Sequence, residues 1–149
     1  MAKFVYTMQN ILNIKQKLEN QAKIAYGQAN AKLLEEQRKL QEILVRKARY
    51  EERARELVSG SIHIREIREN KQAIDAMKSA MRAQLLQVQS AERAVEDARR
   101  KLNDVMVERK THEKLREKQF EQFKEELAYE ENKVVDGLVS YTYQKGTQE

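Results

Sequence analysis

Apolar residues recur along the first third of this chain at alternating steps of three and four, the spacing of a heptad repeat. The first part of this seam comprises Phe4, Met8, Ile11, Leu18, Ala22, Ala25 and Ala29, with Lys15 at one position. A step of four, where three is due, leads to the second part: Leu33, Glu36, Leu40, Ile43, Lys47, Tyr50, Ala54 and Leu57. Such a stutter locally unwinds a supercoil. The pattern predicts one long helix over about residues 4–58.

A second seam follows a single convincing break. Its apolar positions are Ile67, Ile74, Met77, Met81, Val88, Ala91, Val95, Ala98, Leu102 and Val105. At the break, Gly60 is suited to the left-handed conformation that ends a helix, and Ser61 is suited to cap the next one. We therefore predict a bend at about residues 59–61 and a second helix over about residues 62–137. The alternative is one continuous helix through Gly60, which would form a structural homodimeric coiled coil.

The second helix is longer than the first can cover. If the bend centres near residue 60, position i lies beside about 120−i, so Phe4 lies near residue 116 and everything beyond about 118 has no partner. Apolar residues nevertheless continue there: Phe120, Phe123, Leu127, Val134, Leu138 and Tyr141. After Gly137 the stretch 138–143 is rich in β-branched and aromatic residues, so we expect a frayed tail over residues 138–149. The predicted fold is all-α: a single-domain (residues 1–149), long antiparallel two-helix coiled-coil hairpin with an overhanging C-terminal helix end.

Composition strengthens the helical interpretation and argues against an enzyme. The 149 residues include no proline and only four glycines, and 36% are charged, which is typical of coiled coils. There is no cysteine, and His63 and His112 lie too far apart on one helix to share a metal. No phosphate-binding loop or hydrolase motif occurs, and the carboxylates stand at i,i+4 spacing from basic residues. We expect no catalysis, no metal and no cofactor.

Charge and hydropathy limit the expected partners. Residues 1–119 carry 26 basic and 17 acidic residues, whereas residues 120–149 carry three and seven. Basic and acidic residues alternate, and the longest basic cluster is 99–101, so we do not expect nucleic-acid binding. The N-terminus lacks the pattern of a signal peptide, and no apolar run approaches the roughly 20 residues that span a bilayer. We expect a cytoplasmic protein without direct membrane insertion.

Two segments resemble the FliJ family of flagellar export proteins. Residues 4–15, Phe-Val-Tyr-Thr-Met-Gln-Asn-Ile-Leu-Asn-Ile-Lys, resemble its F-x-x-x-L-x-x-h-L-x-h-K opening (h, apolar), with Met8 where the pattern has leucine. Residues 113–118, Glu-Lys-Leu-Arg-Glu-Lys, resemble its later E-K-L-K-E-K-like segment. The chain length and the charged helical composition also agree with that family.

The resemblance implies a component of the flagellar type III export apparatus, and hence a role in flagellum biogenesis, motility and chemotaxis. It implies a stalk that binds the hexameric export ATPase and links it to the membrane export gate, at the inner face of the cell membrane. Export chaperones are a further expected partner. The residues carried over to the ATPase end are Phe4, Met8, Ile11, Leu12, Leu115, Phe120 and Phe123. Those carried over to the gate end are Ala73, Met77 and Ala80.

Two other interpretations stay open at this point. One is an escort chaperone that holds export substrates or other chaperones along its exposed faces. The other is the equivalent stalk of an injectisome, the virulence relative of the flagellar system, which would have much the same architecture.

Overall fold

The computed structural model describes residues 3–147 and contains two long helices packed against each other. Helix α1 spans Gln9–Leu57 and helix α2 spans Ile64–Thr147. No strand occurs between residues 3 and 147. The helices are antiparallel, because Glu36 contacts Gln84 whereas Tyr50, further along α1, contacts Asn70, earlier on α2. The predicted all-α helical hairpin is confirmed.

Contacts divide the chain into two units. The terminal unit consists of the residues up to Glu19 together with those from Val105 onward, and the bend unit is Asn20–Asp104. In each unit α1 or its preceding segment packs along α2. The expectation of a single coiled-coil domain stays a prediction.

The break at Gly60 lies where the sequence placed it, although it is wider. Gly60 has a φ of 83°, a left-handed conformation that costs an L-residue with a side chain roughly 1–2 kcal/mol. The Ser59 backbone N–H and hydroxyl both donate to the Glu56 carbonyl oxygen, at 3.2 and 2.9 Å. These hydrogen bonds satisfy a carbonyl group at the C-terminal end of α1. Helix α2 begins at Ile64, and the first backbone bond there joins the Ile67 N–H to the His63 carbonyl, at 3.1 Å. The residue expected to cap α2, Ser61, therefore lies outside the helix start.

The N-terminal segment is not helical before Gln9, contrary to the predicted start near residue 4. The residues Phe4-Val5-Tyr6-Thr7 are aromatic or β-branched, and such residues lose side-chain freedom in a helix. A turn closes the segment, with the Gln9 N–H donating to the Tyr6 carbonyl at 3.0 Å. Exposure alternates along it, since Tyr6 is 5% exposed and Val5 is 76% exposed. The alternation has a period of two, as in an extended chain.

This extended segment changes the register at the terminal end of the pairing. An extended residue covers about 3.3 Å and a helical one about 1.5 Å, so the three extended residues Phe4-Val5-Tyr6 reach about 5 Å further than a helix would. That distance equals about four residues of α2, which moves the partner of Phe4 from about 116 to about 120. The structure places Phe4 against Phe120 and Phe123. We expected Phe120 and Phe123 to have no partner in the first half of the hairpin. That expectation is wrong, because Phe4 in the N-terminal segment packs against both.

The buried face of α1 is displaced by one residue from the predicted seam in its first part. Leu12, Glu19 and Ala22 are buried, and Tyr26 is half-buried, whereas Ile11, Leu18 and Ala25 are exposed. The inward positions follow alternating steps of four and three without interruption: Met8, Leu12, Lys15, Glu19, Ala22, Tyr26, Ala29, Leu33, Glu36, Leu40 and Ile43. The proposed stutter at Ala29–Leu33 is therefore absent. The sequence pattern missed this register because Glu19 occupies one of its positions, where an apolar residue is expected.

Polar residues at the seam of the bend unit have polar partners on the other helix. Gln84 donates from its Nε2 to Glu36 Oε2 at 2.5 Å and to the Glu36 carbonyl at 2.9 Å, and Lys32 pairs with the same carboxylate at 3.1 Å. Asn70 donates to the Tyr50 carbonyl at 3.0 Å. A buried polar group costs stability unless it is hydrogen-bonded, so these partners favour one register over a shift by one turn.

The Glu36 interactions predict a pH dependence of stability. Hydrogen bonds from Gln84 and Lys32 lower the pKa of Glu36 from its usual 4.5. A lowered folded-state pKa gives stability that is present above the unfolded value and is lost as pH falls through the folded value. We expect Glu36→Gln to lower the melting temperature by about 2–4 °C at pH 7, and this difference to shrink as pH falls from 5 towards 2. Melting curves followed by circular dichroism, with the solvent-facing Glu35→Gln as control, test it. A pH-independent difference would contradict the assignment.

Helix α2 continues through Gly137 to Thr147, where we expected fraying from residue 138. Extending an existing helix adds one hydrogen bond per residue fixed and avoids the cost of a new nucleus, so weak propensity alone does not end it. The Thr142 hydroxyl donates to the Leu138 carbonyl at 2.9 Å, which satisfies the side chain within the helix. Every residue from Ala128 to Gly146 is exposed.

Candidate partner-binding surface

An aromatic cluster joins the N-terminal segment to α2 in the terminal unit. The Phe4 ring lies 5.0 Å from that of Phe120 in an edge-to-face arrangement, with the planes at 63°, and 5.6 Å from that of Phe123. Edge-to-face and tilted geometries suit the quadrupoles of the rings and add about 0.5–1.5 kcal/mol per pair beyond area burial. Lys124 Nζ lies 4.6 Å from the centroid of the Phe120 ring, a cation–π contact on its outer side. The cluster fixes the N-terminal segment on the helix.

Tyr6 and Leu12 form the apolar interior next to this cluster. Tyr6 is buried, and its hydroxyl lies 3.5 Å from the His112 carbonyl oxygen, towards which it donates. Leu12 is 3% exposed. The Nδ1 atom of His112 is buried without a hydrogen-bond partner among the described residues. The sequence interpretation did not select Tyr6, although the period-two alternation Phe4, Tyr6, Met8 was a signal for it.

Ion pairs join α1 to α2 in the part of the terminal unit that follows Leu12 on α1. Lys15 Nζ lies 2.7 Å from Glu108 Oε2, and this hydrogen bond lowers the pKa of the Glu108 carboxyl. Arg109 forms an ion pair with the buried Glu19 on α1 and a second, at 2.7 Å, with Glu113 one turn further along α2. The carboxylates of Glu113 and Glu19 raise the pKa of the Arg109 guanidinium. The residues that interrupt the apolar seam of α2 here are therefore structural partners of α1.

The seven residues expected at the ATPase end all lie in the terminal unit, but they differ in access. Leu12 is buried in the interior, and Phe4, Met8 and Phe123 are half-buried. The side chains most open to a partner are those of Ile11, Leu115 and Phe120, which are 38%, 42% and 37% exposed. Of these, Ile11 and Leu115 make none of the aromatic contacts described above, so they are the most available for binding.

The three residues expected at the gate end lie on α2 in the bend unit. Ala73, Met77 and Ala80 are all half-buried. They follow the spacing of the inward-facing seam, on which Asn70 and Gln84 contact α1. Their inner sides therefore contribute to helix packing, and only their outer edges are open to a partner.

Metal binding and membrane crossing both depend on features within residues 3–147. No cluster of three or more histidine, aspartate or glutamate side chains there is arranged to hold a metal ion. Neither α1 nor α2, over the part described, contains a stretch with the length and apolarity needed to cross a bilayer. What the structure does offer to a partner is solvent-exposed helical surface.

The fold and this surface define a class: a helical-hairpin coiled coil with exposed apolar side chains. The chain matches the family described as flagellar FliJ protein over residues 4–148 and belongs to that family. It is therefore a component of flagellar or type III protein export. Among solved structures it is similar to CT670 of Chlamydia trachomatis, described as a YscO homologue, at 19% identity and a TM-score of 0.73, covering 99% of both chains. No curated protein matches the chain by sequence.

Proposed function

We propose that this chain is the central stalk of the export apparatus, binding the hexameric export ATPase through its terminal unit and coupling that ATPase to the membrane export gate. The observation that carries the proposal is the pair of exposed apolar side chains, Ile11 and Leu115, within the two segments that carry the family motifs. Apolar side chains at the centre of a protein interface contribute most of its binding energy when they become fully desolvated.

A stalk of this kind acts on an enzyme without performing chemistry. It shifts the ATPase towards one subunit conformation if it binds that conformation more tightly than the others. The interior of the terminal unit, built on Tyr6, Leu12 and the Glu19–Arg109 ion pair, keeps the binding residues in one arrangement. Binding to a preorganised surface costs less ordering entropy than binding to a flexible one.

The test is the ATP hydrolysis rate of the cognate export ATPase, titrated with the purified chain. We expect a saturable rise in rate, and we expect Ile11→Ser combined with Leu115→Ser to weaken the apparent affinity at least about tenfold. The matched control is Val58→Ser with Ile62→Ser, which removes two exposed apolar side chains near the bend. Stimulation that falls equally in both double variants would contradict binding through the terminal unit.

The gate contact is proposed for the outer edges of Ala73, Met77 and Ala80, and it would hold the chain at the inner face of the membrane through a protein partner. Ala80→Glu places a charge on this edge. We propose that it weakens association with the gate while leaving ATPase stimulation intact.

An escort chaperone is the second candidate, favoured by apolar side chains that point away from the helix pairing. Ile24, Leu34 and Leu86 are 61–67% exposed along the bend unit. If the folded wild-type chain does not raise the ATPase rate but co-elutes with an export chaperone or substrate, the escort function replaces the stalk.

A further inference from the structure

The last five turns of α2 carry a second apolar surface that the helix pairing does not use. The C-terminal apolar face consists of Val134, Leu138 and Tyr141, flanked on one side by Val135 and Val139. These side chains are 55–64% exposed. Their steps of four and three place them in one row along the helix, in line with Phe123 and Leu127. The row therefore continues the face by which α2 packs against the N-terminal segment.

The charges around this face distinguish it from the rest of the chain. Residues 128–147 carry three acids, Glu130, Glu131 and Asp136, and two lysines, Lys133 and Lys145, so this part is nearly neutral. By contrast, residues 1–119 carry an excess of nine positive charges. A nearly neutral apolar face offers little attraction to a strongly charged partner, which favours an occupant of similar composition.

The order of charges along the row makes the face self-complementary when two copies of α2 pair in the antiparallel orientation. Glu131 lies one turn before Val134, and Lys145 lies one turn after Tyr141. Neither forms an ion pair within residues 3–147. In an antiparallel pair of these helices, Glu131 of each copy comes within about one turn of Lys145 of the other, twice by symmetry. A parallel pair would instead align glutamate with glutamate and lysine with lysine.

We propose that the C-terminal apolar face binds a second copy of this chain in an antiparallel, two-fold symmetric helix pair centred near residues 136–138. Leu138 packs against Val134 and Leu138 of the second copy, and the Glu131–Lys145 pairs close both ends. The contact from Glu131 to Lys145 spans about four helical turns, which is small for a protein interface, so the dimer is weak, with a Kd of about 1–100 μM. The proposal goes beyond the stalk function and stands on different residues.

Sedimentation equilibrium of the full chain over about 5–500 μM tests the association. We expect reversible dimerisation for the wild type and a loss of at least about tenfold in affinity for Leu138→Ser. Tyr129→Ser is the matched control, because Tyr129 is equally exposed but lies on another side of α2, and it leaves the affinity unchanged. A chain that stays monomeric at 500 μM, or a control variant that loses as much affinity as Leu138→Ser, overturns the proposal. Circular dichroism checks that all variants remain helical.

Charge reversal tests the orientation. We expect Glu131→Lys to weaken the dimer about tenfold, because it places two positive charges together at each end, and Lys145→Glu added to it to restore wild-type affinity. Restoration is specific to the antiparallel pair, since the parallel pair repels in both the wild type and the double variant. Failure of the double variant to recover overturns the antiparallel assignment.

Crosslinking through single introduced cysteines locates the two-fold axis. The chain has no cysteine of its own that could react in their place. With a short bismaleimide, we expect Leu138→Cys to form a covalent dimer and Ala128→Cys to remain monomeric. In the antiparallel pair the two copies of residue 128 lie about 27 Å apart along the axis, beyond the reach of the reagent. Equal crosslinking at both positions indicates a parallel pair, and crosslinking at neither overturns the interface.

Discussion

Replacing Leu12 by alanine is expected to lower the free energy of unfolding by about 2–4 kcal/mol. Leu12 is 3% exposed in the interior of the terminal unit, where the removed atoms leave a cavity as well as losing their burial. The neighbouring Ile11→Ala is expected to cost about 1 kcal/mol or less, because Ile11 is 38% exposed and loses little burial. Urea unfolding followed by circular dichroism measures both values.

This pair of variants also decides the register of α1. The apolar repeat in the sequence places Ile11 on the buried seam, whereas the structure places Leu12 there. If Ile11→Ala costs as much as Leu12→Ala or more, the displaced seam described for residues 8–29 is incorrect.

Removing the positive partner of a buried carboxylate gives the second large effect. We expect Arg109→Met to lower the melting temperature by about 5–10 °C, because Glu19 loses the guanidinium that compensates its burial. Thermal unfolding at pH 7 and low salt measures the change. Lys110→Met is the control, since Lys110 is exposed on the adjacent position of α2 and its replacement is expected to leave the melting temperature nearly unchanged.

The double variant Glu19→Met with Arg109→Met separates pairing from packing. An apolar pair of similar volume removes the buried carboxylate together with the ion-pair partner that it lost, so we expect it to recover most of the lost melting temperature. If the double variant melts below Arg109→Met, the carboxylate has a role other than the ion pair with Arg109.

The sequence pattern predicted the parts of the fold that depend on local chemistry. Absence of proline, heptad spacing and the Ser59-Gly60-Ser61 break were sufficient for two long helices and the bend. The first part of the α1 seam was displaced because Glu19 occupies it, and its ion-pair partner Arg109 lies some 90 residues away in the sequence. Periodicity within one helix contains no information about such distant partners.

The arrangement of the candidate site residues depends on a related effect. The family resemblance implied Phe4, Phe120 and Phe123, and the structure places the Phe4 ring against both of the others. Their proximity to one another was unexpected, because a helical start was assumed and the extended geometry of Phe4-Val5-Tyr6 changes the reach of the chain. Because Phe4 packs against Phe120 and Phe123, the proposed ATPase contact rests on Ile11 and Leu115.

The interior between the two helices is only one layer of side chains thick, and this affects how the molecule responds to a substitution in the seam. No large side chain among the described residues is completely enclosed, since two helices bury only one stripe of each other. Each layer of the seam touches the layers directly above and below it, so the energy of the pairing is a sum of short-range terms, as in linear repeat proteins. A defect in one layer therefore opens the helices over a turn or two and leaves distant layers closed. We therefore expect the helix pairing to open locally under strain before the molecule unfolds globally.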